Sequence, residues 1–359
     1  MVRAAVLSAQ GKPLEITEVV LPEPGPGQVR VRVAAAGVCH SDLSLANGTL
    51  RQPVPAVLGH EGAGVVVSVG TGVTRVEPGD HVLLNWAPPC RECWFCEAGE
   101  PYLCAHASDA AEVPYGTLSD GTPLYPGLGT GAFAEETIVP ERGAVKIPVD
   151  VPLEQAAVLG CAVLTGAGAV FNTAQVSTGQ AVVVVGVGGI GLSVLQAARI
   201  AGASPIIAVD VHESKSDLAL SQGATHFLVS GDKTAKAVRS LTDGRGADVA
   251  FECVGMPATI RTAWSSSRRG GKVVVVGVGS AKAMVEFSAL ELYWMGRTLT
   301  GCLFGSTDPD TDVPRLLGLV GSGQLDVAGL VTTVTDLDGI EGAFEDMRQG
   351  RGGRTLVRF

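Results

Sequence analysis

The segment VVVVGVGGIG at 182–191 constrains the fold of this chain more than any other part of the sequence. Four valines predict a buried strand, and glycines spaced G-x-G-x-x-G after a strand let the backbone approach a pyrophosphate at the N-terminus of the next helix. Asp210 follows 19 residues after the last of these glycines, where a carboxylate can accept hydrogen bonds from adenosine ribose hydroxyls. It would also repel a 2′-phosphate, so we expect NAD(H) rather than NADP(H). The glycines of this predicted cofactor turn are Gly186, Gly188, Gly189 and Gly191.

The residues after this turn extend the pattern into an open parallel sheet. Short apolar runs alternate with helical stretches, as expected of βαβ units. The predicted elements are strand Ala181–Val185, helix Gly191–Ala201, strand Pro205–Val209, and further strands at Val249–Phe251 and Val273–Val276. VVVVGVGS at 273–280 is similar to the cofactor turn but lacks its last glycine and the following helix, so we interpret it as a later strand of the same sheet.

Four of the eight cysteines fall within one short segment, with the spacing C-x2-C-x2-C-x7-C: Cys90, Cys93, Cys96 and Cys104. Four thiolates brought together by tight turns form a closed tetrahedral site for Zn²⁺. An iron–sulfur cluster is the chemical alternative, because four thiolates also suit iron. Residues 90–130 are rich in Gly, Pro and Asp and show little periodicity. We therefore expect an irregular lobe that a structural metal, rather than a hydrophobic core, holds together.

Charge and the N-terminal residues narrow the partners and the compartment. The formal net charge of -10 argues against general affinity for nucleic acid or anionic membranes, since both require clustered Lys and Arg. The start MVRAAVLSAQGKP has no apolar stretch of signal-peptide length, and Val182–Val185 is far too short to span a bilayer. We therefore expect a cytoplasmic protein with small-molecule partners, whose reduced cysteines favour metal binding over disulfides.

A third group of residues is scattered along the chain and is weaker as a pattern. Cys39 in GVCHSD, His60 and Glu61 in LGHEGAG, and Cys161 in LGCAVLTG include two thiols and an imidazole, a set that leaves one position of a catalytic zinc open. Spacing does not select these residues, because an isolated buried Cys or His is more often a packing residue than a ligand. On residue types alone, a metal site and ordinary packing are equally good interpretations.

Taken together, these motifs resemble those of the zinc-containing alcohol dehydrogenases of the medium-chain dehydrogenase/reductase family, over nearly the whole chain. The matching pieces are GVCHSD, GHEGAG, the four-cysteine lobe, LGCAVLTGAGAV, GVGGIG with Asp210, FECVG and the closing RTLVRF. The resemblance implies an α/β protein with two domains. A GroES-like, mostly-β catalytic domain of residues 1–165 and 301–359 would be interrupted by a Rossmann NAD-binding domain of residues 166–300, a doubly wound parallel sheet.

The same resemblance assigns the metal ligands. Cys39, His60 and Cys161 would bind a catalytic zinc, and the four clustered cysteines would bind a structural zinc, which gives two Zn²⁺ per chain. Glu61 would lie close behind the catalytic metal. Asp42 would orient the ligand histidine.

Four further residues take roles near the substrate and the cofactor by this resemblance. Ser41 would hydrogen-bond the substrate oxygen, and His40 would approach the cofactor pyrophosphate. Lys215, five residues after Asp210, matches a family lysine near the adenosine ribose. Trp86 would line the alcohol pocket, although a large aromatic residue is also an ordinary core residue.

Ser44 departs from the family pattern. Many members carry a histidine at this position, where it ends a proton relay to solvent. A serine cannot act as a general base at neutral pH, so we expect the relay to run through water, through His40, or more slowly. This predicts a higher apparent pH optimum for alcohol oxidation.

The sequence thus predicts an NAD(H)-dependent dehydrogenase that interconverts primary or secondary alcohols with aldehydes or ketones. Two alternatives are a specialised reductase of secondary metabolism acting on a bulky carbonyl or conjugated bond, and a non-catalytic zinc- and nucleotide-binding protein. GTLSDGTPLYPGLGTGAF, at 116–133, resembles the longer form of the family found in dimeric animal and plant enzymes. This favours a homodimer joined near Leu299–Phe304, with a tetramer as the alternative.

Overall fold

The computed structural model describes every residue from Met1 to Phe359. The chain folds into two compact units, and the polypeptide passes from one to the other four times. The first unit comprises Met1–Cys161, Asp308–Arg315 and Val331–Phe359. The second comprises Ala162–Thr307 and Leu316–Leu330.

Strands dominate the N-terminal part of the first unit. Valines at alternate positions explain the longest of them, because Val29, Val31 and Val33 all point into the core while the arginines between them do not. The strands are β1 (Val2–Leu7), β2 (Glu15–Val20), β3 (Gln28–Val38), β4 (Ala56–Val57), β5 (Glu61–Val69), β6 (His81–Leu84), β7 (Gly116–Leu118), β8 (Pro123–Pro126), β9 (Glu136–Pro140) and β10 (Ala144–Lys146). The helices are α1 (His40–Ala46), α2 (Trp94–Glu97) and α3 (Leu153–Val158).

The second unit contains the predicted parallel sheet. Its strands are β11 (Val182–Val185), β12 (Ile206–Asp210), β13 (His226–Val229), β14 (Ala247–Glu252), β15 (Ser267–Val275) and β16 (Thr298–Gly301). Its helices are α4 (Leu164–Gly168), α5 (Gly189–Ile200), α6 (Ser216–Ser221), α7 (Thr234–Ser240), α8 (Pro257–Ser266) and α9 (Ala289–Met295). All strand pairs are parallel, in the order β13-β12-β11-β14-β15-β16. This order is that of the dinucleotide-binding doubly wound sheet, so the predicted Rossmann fold is confirmed.

The remaining elements are α10 (Pro309–Gly321), β17 (Val331–Thr335), α11 (Ile340–Arg348) and β18 (Arg354–Arg358). The last two strands complete the sheet of the first unit, whose order is β10-β6-β5-β3-β18-β17, with β9 also paired to β3. The strands β1, β2, β7, β8 and β4 close into a small barrel. This mostly-β architecture confirms the predicted GroES-like domain. The C-terminal strand lies beside β3, where Leu356 is opposite Gly37.

The second unit takes in more residues than the predicted range of 166–300, namely 162–165, 301–307 and 316–330. Hydrogen bonds explain the last of these segments. The buried Gln196 of α5 accepts from the backbone N–H of Asp326 at 2.7 Å and donates to its carbonyl at 2.8 Å. Arg199 donates to the carbonyl of Gln324 at 2.8 Å. These polar contacts leave no periodic pattern in the sequence.

One helical stretch, Leu153–Ala174, is long and apolar enough to cross a membrane by length and composition, but 83% of its most apolar window is buried inside the protein. It consists of α3, α4 and two π-helical turns. Cys161 lies in the first π-helical turn. A π-helical turn changes the direction in which side chains project, and such turns are frequent at functional sites.

Candidate active site

The four clustered cysteines of the first unit surround one point. Their sulfur atoms lie within 4.8 Å of one another. Three of the sulfur pairs are Cys93–Cys96 at 3.6 Å, Cys93–Cys104 at 3.9 Å and Cys90–Cys96 at 4.0 Å. Tetrahedral Zn–S bonds of about 2.3 Å place sulfurs roughly 3.8 Å apart, so the spacing fits a single ion. A 4Fe–4S cluster would hold the four cysteine sulfurs farther apart, because each would bind a different iron atom.

Backbone geometry prepares these sulfurs to become thiolates. The N–H of Cys90 donates to Cys104 Sγ, and that of Cys93 donates to Cys90 Sγ, both at 3.2 Å. Backbone hydrogen bonds at Cys96 and Ala105 lower the pKa of Cys93 to about 6, whereas burial raises the pKa of Cys96 to about 12. A divalent cation would stabilise all four thiolates and remove this difference.

Arg91 lies between the first two of these cysteines, and no sequence pattern indicates its role. Its backbone adopts a left-handed conformation, with φ of 70°. Its guanidinium donates to Asp308 Oδ2 at 2.7 Å and to Asp310 Oδ2 at 2.7 Å. Arg75 also pairs with Asp310, at 2.6 Å. The cysteine lobe is therefore attached to the start of α10 by ion pairs that span more than 200 residues of sequence.

The scattered group also comes together. Ligand atoms of Cys39, His60, Glu61 and Cys161 lie within 4.8 Å of one another, and all four residues are buried. Strand pairing brings Cys39, His60 and Glu61 together. Cys39 follows β3, His60 precedes β5, and these antiparallel strands place Glu61 opposite Gly37. A side chain on Gly37 would begin 2.2 Å from Glu61 Oε2, so it would displace the Glu61 carboxylate.

Asp42 holds this group in place. Its Oδ1 lies 2.9 Å from His60 Nδ1 and accepts from the N–H of Gly59 at 3.0 Å, while its Oδ2 accepts from the N–H of Cys39 at 3.1 Å. His60 Nε2 is buried without a hydrogen-bond partner. With Nδ1 engaged by the carboxylate, Nε2 is the nitrogen that can bind a metal ion.

The ion-free pKa values show how strongly these groups interact. The hydrogen bond from Cys161 holds the pKa of Cys39 well below its usual range, and the same bond raises the pKa of Cys161. Burial lowers the pKa of His60, but the charges of Asp42 and Cys39 outweigh it and the net effect is a rise. Three buried groups that compete for protons in this way are suited to exchange them for a cation.

Arg354 is a second residue that the sequence analysis did not identify, although it opens the quoted RTLVRF. It is buried, it forms an ion pair with Glu61, and it donates to the carbonyl of Val38 at 3.1 Å. It reaches Glu61 because β18 pairs with β3, across 293 residues of sequence. No local pattern could have indicated this contact.

The other predicted residues of the first unit lie near this cluster, three of them on the helix that follows Cys39. His40, Ser41 and Ser44 are all on α1, whose N-cap is Cys39; the first is exposed, the second half-buried and the third buried. The ring centroid of Trp86 is 6.3 Å from that of His60, and the rings are nearly perpendicular at 85°. Trp86 thus lies beside His60, at the edge of the group formed by Cys39, His60, Glu61 and Cys161.

The predicted cofactor turn lies between β11 and α5 in the second unit. Gly186 has φ of +96°, and a Cβ on Gly191 would be 1.9 Å from the carbonyl of Gly186. Asp210 ends β12 and accepts from the N–H groups of Val187 at 2.8 Å and His212 at 3.0 Å. Lys215 Nζ lies 3.5 Å from Asp210 Oδ2. The glycines, the aspartate and the lysine therefore meet at the carboxyl ends of adjacent strands.

Comparison with known proteins agrees with this geometry. Residues 25–149 match the alcohol dehydrogenase GroES-like domain, and residues 189–322 match the zinc-binding dehydrogenase domain. The S-(hydroxymethyl)glutathione dehydrogenase of Paracoccus denitrificans is 38% identical over 99% of both chains.

Two solved structures are similar over the whole chain. An alcohol dehydrogenase zinc-binding domain protein from Burkholderia ambifaria is 36% identical, with a TM-score of 0.94 over 100% of this chain and 98% of that one. The benzyl alcohol dehydrogenase of Acinetobacter calcoaceticus is 33% identical, with a TM-score of 0.91 over 100% of this chain and 99% of that one.

Proposed function

Because this chain belongs to the zinc-dependent alcohol dehydrogenases of the medium-chain dehydrogenase/reductase family, a family of oxidoreductases, we propose that it transfers a hydride between a primary or secondary alcohol and NAD(H). The observation that carries the proposal is the buried set Cys39, His60 and Cys161, which offers three ligand atoms to one metal ion. Two thiolates and an imidazole are a catalytic zinc set, because they leave one coordination position for substrate.

The buried His60 Nε2 supports the fit to zinc, since an unpaired buried nitrogen is costly unless a ligand or metal engages it. A zinc ion held here would supply a Lewis acid that lowers the pKa of an alcohol hydroxyl. Asp42 keeps His60 in the orientation that presents Nε2. Glu61 Oε1 is held by Arg354, so this carboxylate does not take a fixed ligand position without giving up a buried ion pair.

The proton leaves through the side chains of α1. Ser41 Oγ would accept the proton of the substrate hydroxyl in a hydrogen bond and donate its own proton onward. His40, which is exposed, would pass it to solvent. Ser44 is buried and its hydroxyl is not basic at neutral pH, so it does not take the place of a terminal histidine.

The turn of the second unit would hold NAD(H), which accepts or donates the hydride at its nicotinamide ring. Gly186, Gly188, Gly189 and Gly191 would let the backbone face the pyrophosphate, with its charge at the N-terminus of α5. Asp210 would accept from the adenosine ribose hydroxyls, with Lys215 beside it. A 2′-phosphate would meet the Asp210 carboxylate, which favours NAD over NADP.

We assign a second zinc ion to Cys90, Cys93, Cys96 and Cys104, where it would be structural because four protein ligands leave no position for substrate. Trp86 would form one wall of the alcohol pocket, since its ring lies beside His60. Its bulk would narrow the space next to the metal.

A homodimer is the assembly that the second unit favours. β16 is an edge strand with unpaired backbone groups, and α9 next to it in sequence has no buried residue. Leu290, Tyr293 and Trp294 of α9 are 71%, 81% and 59% exposed. A second copy of this chain would bury that apolar surface and extend the sheet, with the contact near Leu299–Phe304.

The first experiment measures metal content per chain together with NADH formation from ethanol, a secondary alcohol, a cyclic alcohol and benzyl alcohol. We expect two zinc ions per chain and NAD-linked turnover. Cys253→Ser, which removes a cysteine outside both groups, should leave the zinc content at two ions per chain. One zinc ion and no turnover would overturn the proposal. Turnover confined to large carbonyl compounds would favour the bulky-substrate reductase.

A further inference from the structure

The segment FECVG at 251–255 contains a carboxylate that the proposed chemistry does not use. Glu252 ends β14 and is fully buried. Its Oε1 accepts three hydrogen bonds, from the N–H groups of Val254 at 2.9 Å and Gly255 at 2.8 Å and from the hydroxyl of Thr259 at 2.7 Å. Its Oε2 is buried without a hydrogen-bond partner.

This arrangement lowers the stability of the fold unless another contribution offsets it. A buried carboxylate costs free energy unless it is paired, and no Lys or Arg forms an ion pair with Glu252. An oxygen without a partner adds to that cost. The three bonds on Oε1 all go to one short segment, the turn 253–256 and the first turn of α8. The benefit that offsets the cost must therefore lie in the shape of this turn.

The turn 253–256 packs directly on the predicted cofactor turn. β14 is the neighbour of β11, so their carboxyl ends lie side by side. A Cβ on Gly186 would lie 2.4 Å from Val254 Cγ2 and 3.4 Å from the backbone of Cys253. On its other side, a Cβ on Gly255 would lie 2.4 Å from the backbone of Val278. A small shift of this turn would therefore move Gly186 or be blocked by it.

We infer that Glu252 is a positioning residue for the dinucleotide: its Oε1 fixes the turn 253–256 against Gly186 and so maintains the conformation in which that glycine faces the cofactor. This inference rests on the proposed function, because it requires a dinucleotide at the turn 186–191. Glu252 acts through the backbone and through Thr259, and none of its hydrogen bonds goes to a proposed metal ligand. It should therefore affect cofactor affinity and leave alcohol binding unchanged.

The test compares NADH dissociation constants, measured by fluorescence titration, among Glu252 variants of the full chain. Glu252→Leu removes the acceptor of all three hydrogen bonds at similar size, and we expect the Kd for NADH to rise about tenfold or more. Glu252→Gln keeps a carbonyl oxygen for the three donors, so its Kd should stay within about twofold of wild type. Thr259→Val removes one donor at a half-buried position and should give a smaller rise, about threefold.

Asp248→Ala is the matched control. Asp248 lies near the opposite end of the same strand, where its carboxylate accepts from the N–H of Ala181 at 2.8 Å and from Arg268 at 2.5 Å. Its loss should lower the melting temperature without raising the Kd for NADH. KM for NAD should follow the Kd in the Glu252 variants, while KM for alcohol at saturating NAD and zinc content remain at wild-type values.

The outcomes separate the two claims. Wild-type protein that does not bind NADH would refute the proposed function itself. Wild-type protein that binds NADH, with unchanged Kd in both Glu252→Leu and Thr259→Val, would overturn the positioning role. The positioning role would also be overturned if Glu252→Gln bound NADH as weakly as Glu252→Leu. The same holds if Asp248→Ala bound NADH as weakly as Glu252→Leu or Thr259→Val. If Glu252→Leu does not fold, the dissociation constants of Thr259→Val and Asp248→Ala for NADH test the role: the first should rise and the second should not.

Discussion

Asp42 stabilises the start of a helix and also orients a histidine of the proposed metal site. It is the third residue of α1, and its carboxylate accepts the N–H of Cys39 at the N-cap, as in a capping box. The same carboxylate bonds His60 from another strand. The bond that starts the helix therefore also fixes the positions of two proposed ligands relative to each other.

Replacing Asp42 should weaken metal binding. We expect Asp42→Ala to lower zinc affinity at the buried site by about 10- to 100-fold, because His60 loses the partner that orients it. Zinc transfer to a chromogenic chelator measures this. Ser41→Ala on the same helix is the control, with reduced turnover but normal zinc affinity. Wild-type affinity in Asp42→Ala would refute the role assigned to Asp42.

Ser44 should determine the pH dependence of alcohol oxidation. A histidine has a pKa of about 6.5, so Ser44→His would supply a base that accepts the substrate proton at lower pH. We expect the pH profile of kcat for oxidation to shift downward in this variant. Ser44→Asn, which is polar but not basic, should leave the profile where it is. An unchanged profile in Ser44→His would count against this explanation.

At the scale of elements, the cysteine lobe depends on contacts that its own short helices do not supply. α2 has only four residues and none of them is buried. Backbone hydrogen bonds to the cysteine sulfurs and the ion pairs of Arg91 stabilise the lobe in place of a hydrophobic core. Helix α9 differs from the cysteine lobe, because it has large hydrophobic side chains that no other part of the chain buries.

Arg91 combines a favourable ion pair with an unfavourable backbone conformation. Arg91→Ala should lower the free energy of unfolding by about 1 kcal/mol, because it loses partly exposed ion pairs. The Cβ at positive φ remains in this variant, so nothing offsets the loss. Arg91→Gly loses the same pairs but removes a strain of about 1 kcal/mol, so it should be close to wild type. Urea titration measures both. Equal stability of the two variants would show that the backbone at this position is not strained.

The exposed face of α9 should mediate self-association. We expect the double variant Leu290→Asp, Trp294→Asp to be monomeric in sedimentation velocity, because two charges cannot be buried in an apolar interface at low cost. Val149→Asp alters an equally exposed apolar residue of the first unit, 75% exposed, and should not change the assembly. A double variant with wild-type sedimentation would exclude this face as the interface.

At the scale of the whole molecule, the two proposed zinc ions have different roles, one in turnover and one in stability. Cys39 and Cys161 belong to well-packed elements, since Val38 and Ala162 beside them are fully buried. The four-cysteine group is only partly buried and belongs to a lobe with little core. Metal should therefore be needed for turnover at the first site and for stability at the second.

Single substitutions at the two sites should separate the role in turnover from the role in stability. Cys39→Ser should lose one zinc ion and NAD-linked turnover with a small change in melting temperature. Cys93→Ser should also lose one zinc ion, but it should lower the melting temperature by several degrees and expose residues 90–130 to proteolysis. Metal content, calorimetry and limited digestion provide the comparison. A Cys39→Ser variant that unfolds as readily as Cys93→Ser would contradict this division.

The sequence by itself determined the features that depend on neighbours along the chain. VVVVGVGGIG followed by Asp210 predicts a strand, a turn and a helix through local periodicity and glycine geometry, and the parallel sheet confirms it. The four cysteines lie close enough in sequence to meet through tight turns. The family resemblance supplied the grouping of Cys39, His60 and Cys161, which spacing did not.

Only the tertiary structure decided the contacts between residues far apart in sequence. Arg354 reaches Glu61, Arg91 reaches Asp308, and Gln196 holds the backbone of Asp326. Each contact depends on strand pairing or helix packing rather than on a local pattern, because a single charged or amide side chain has no periodicity. The same holds for Glu252, since its role depends on β14 lying next to β11, and a motif records which residues are present but not which strand is their neighbour.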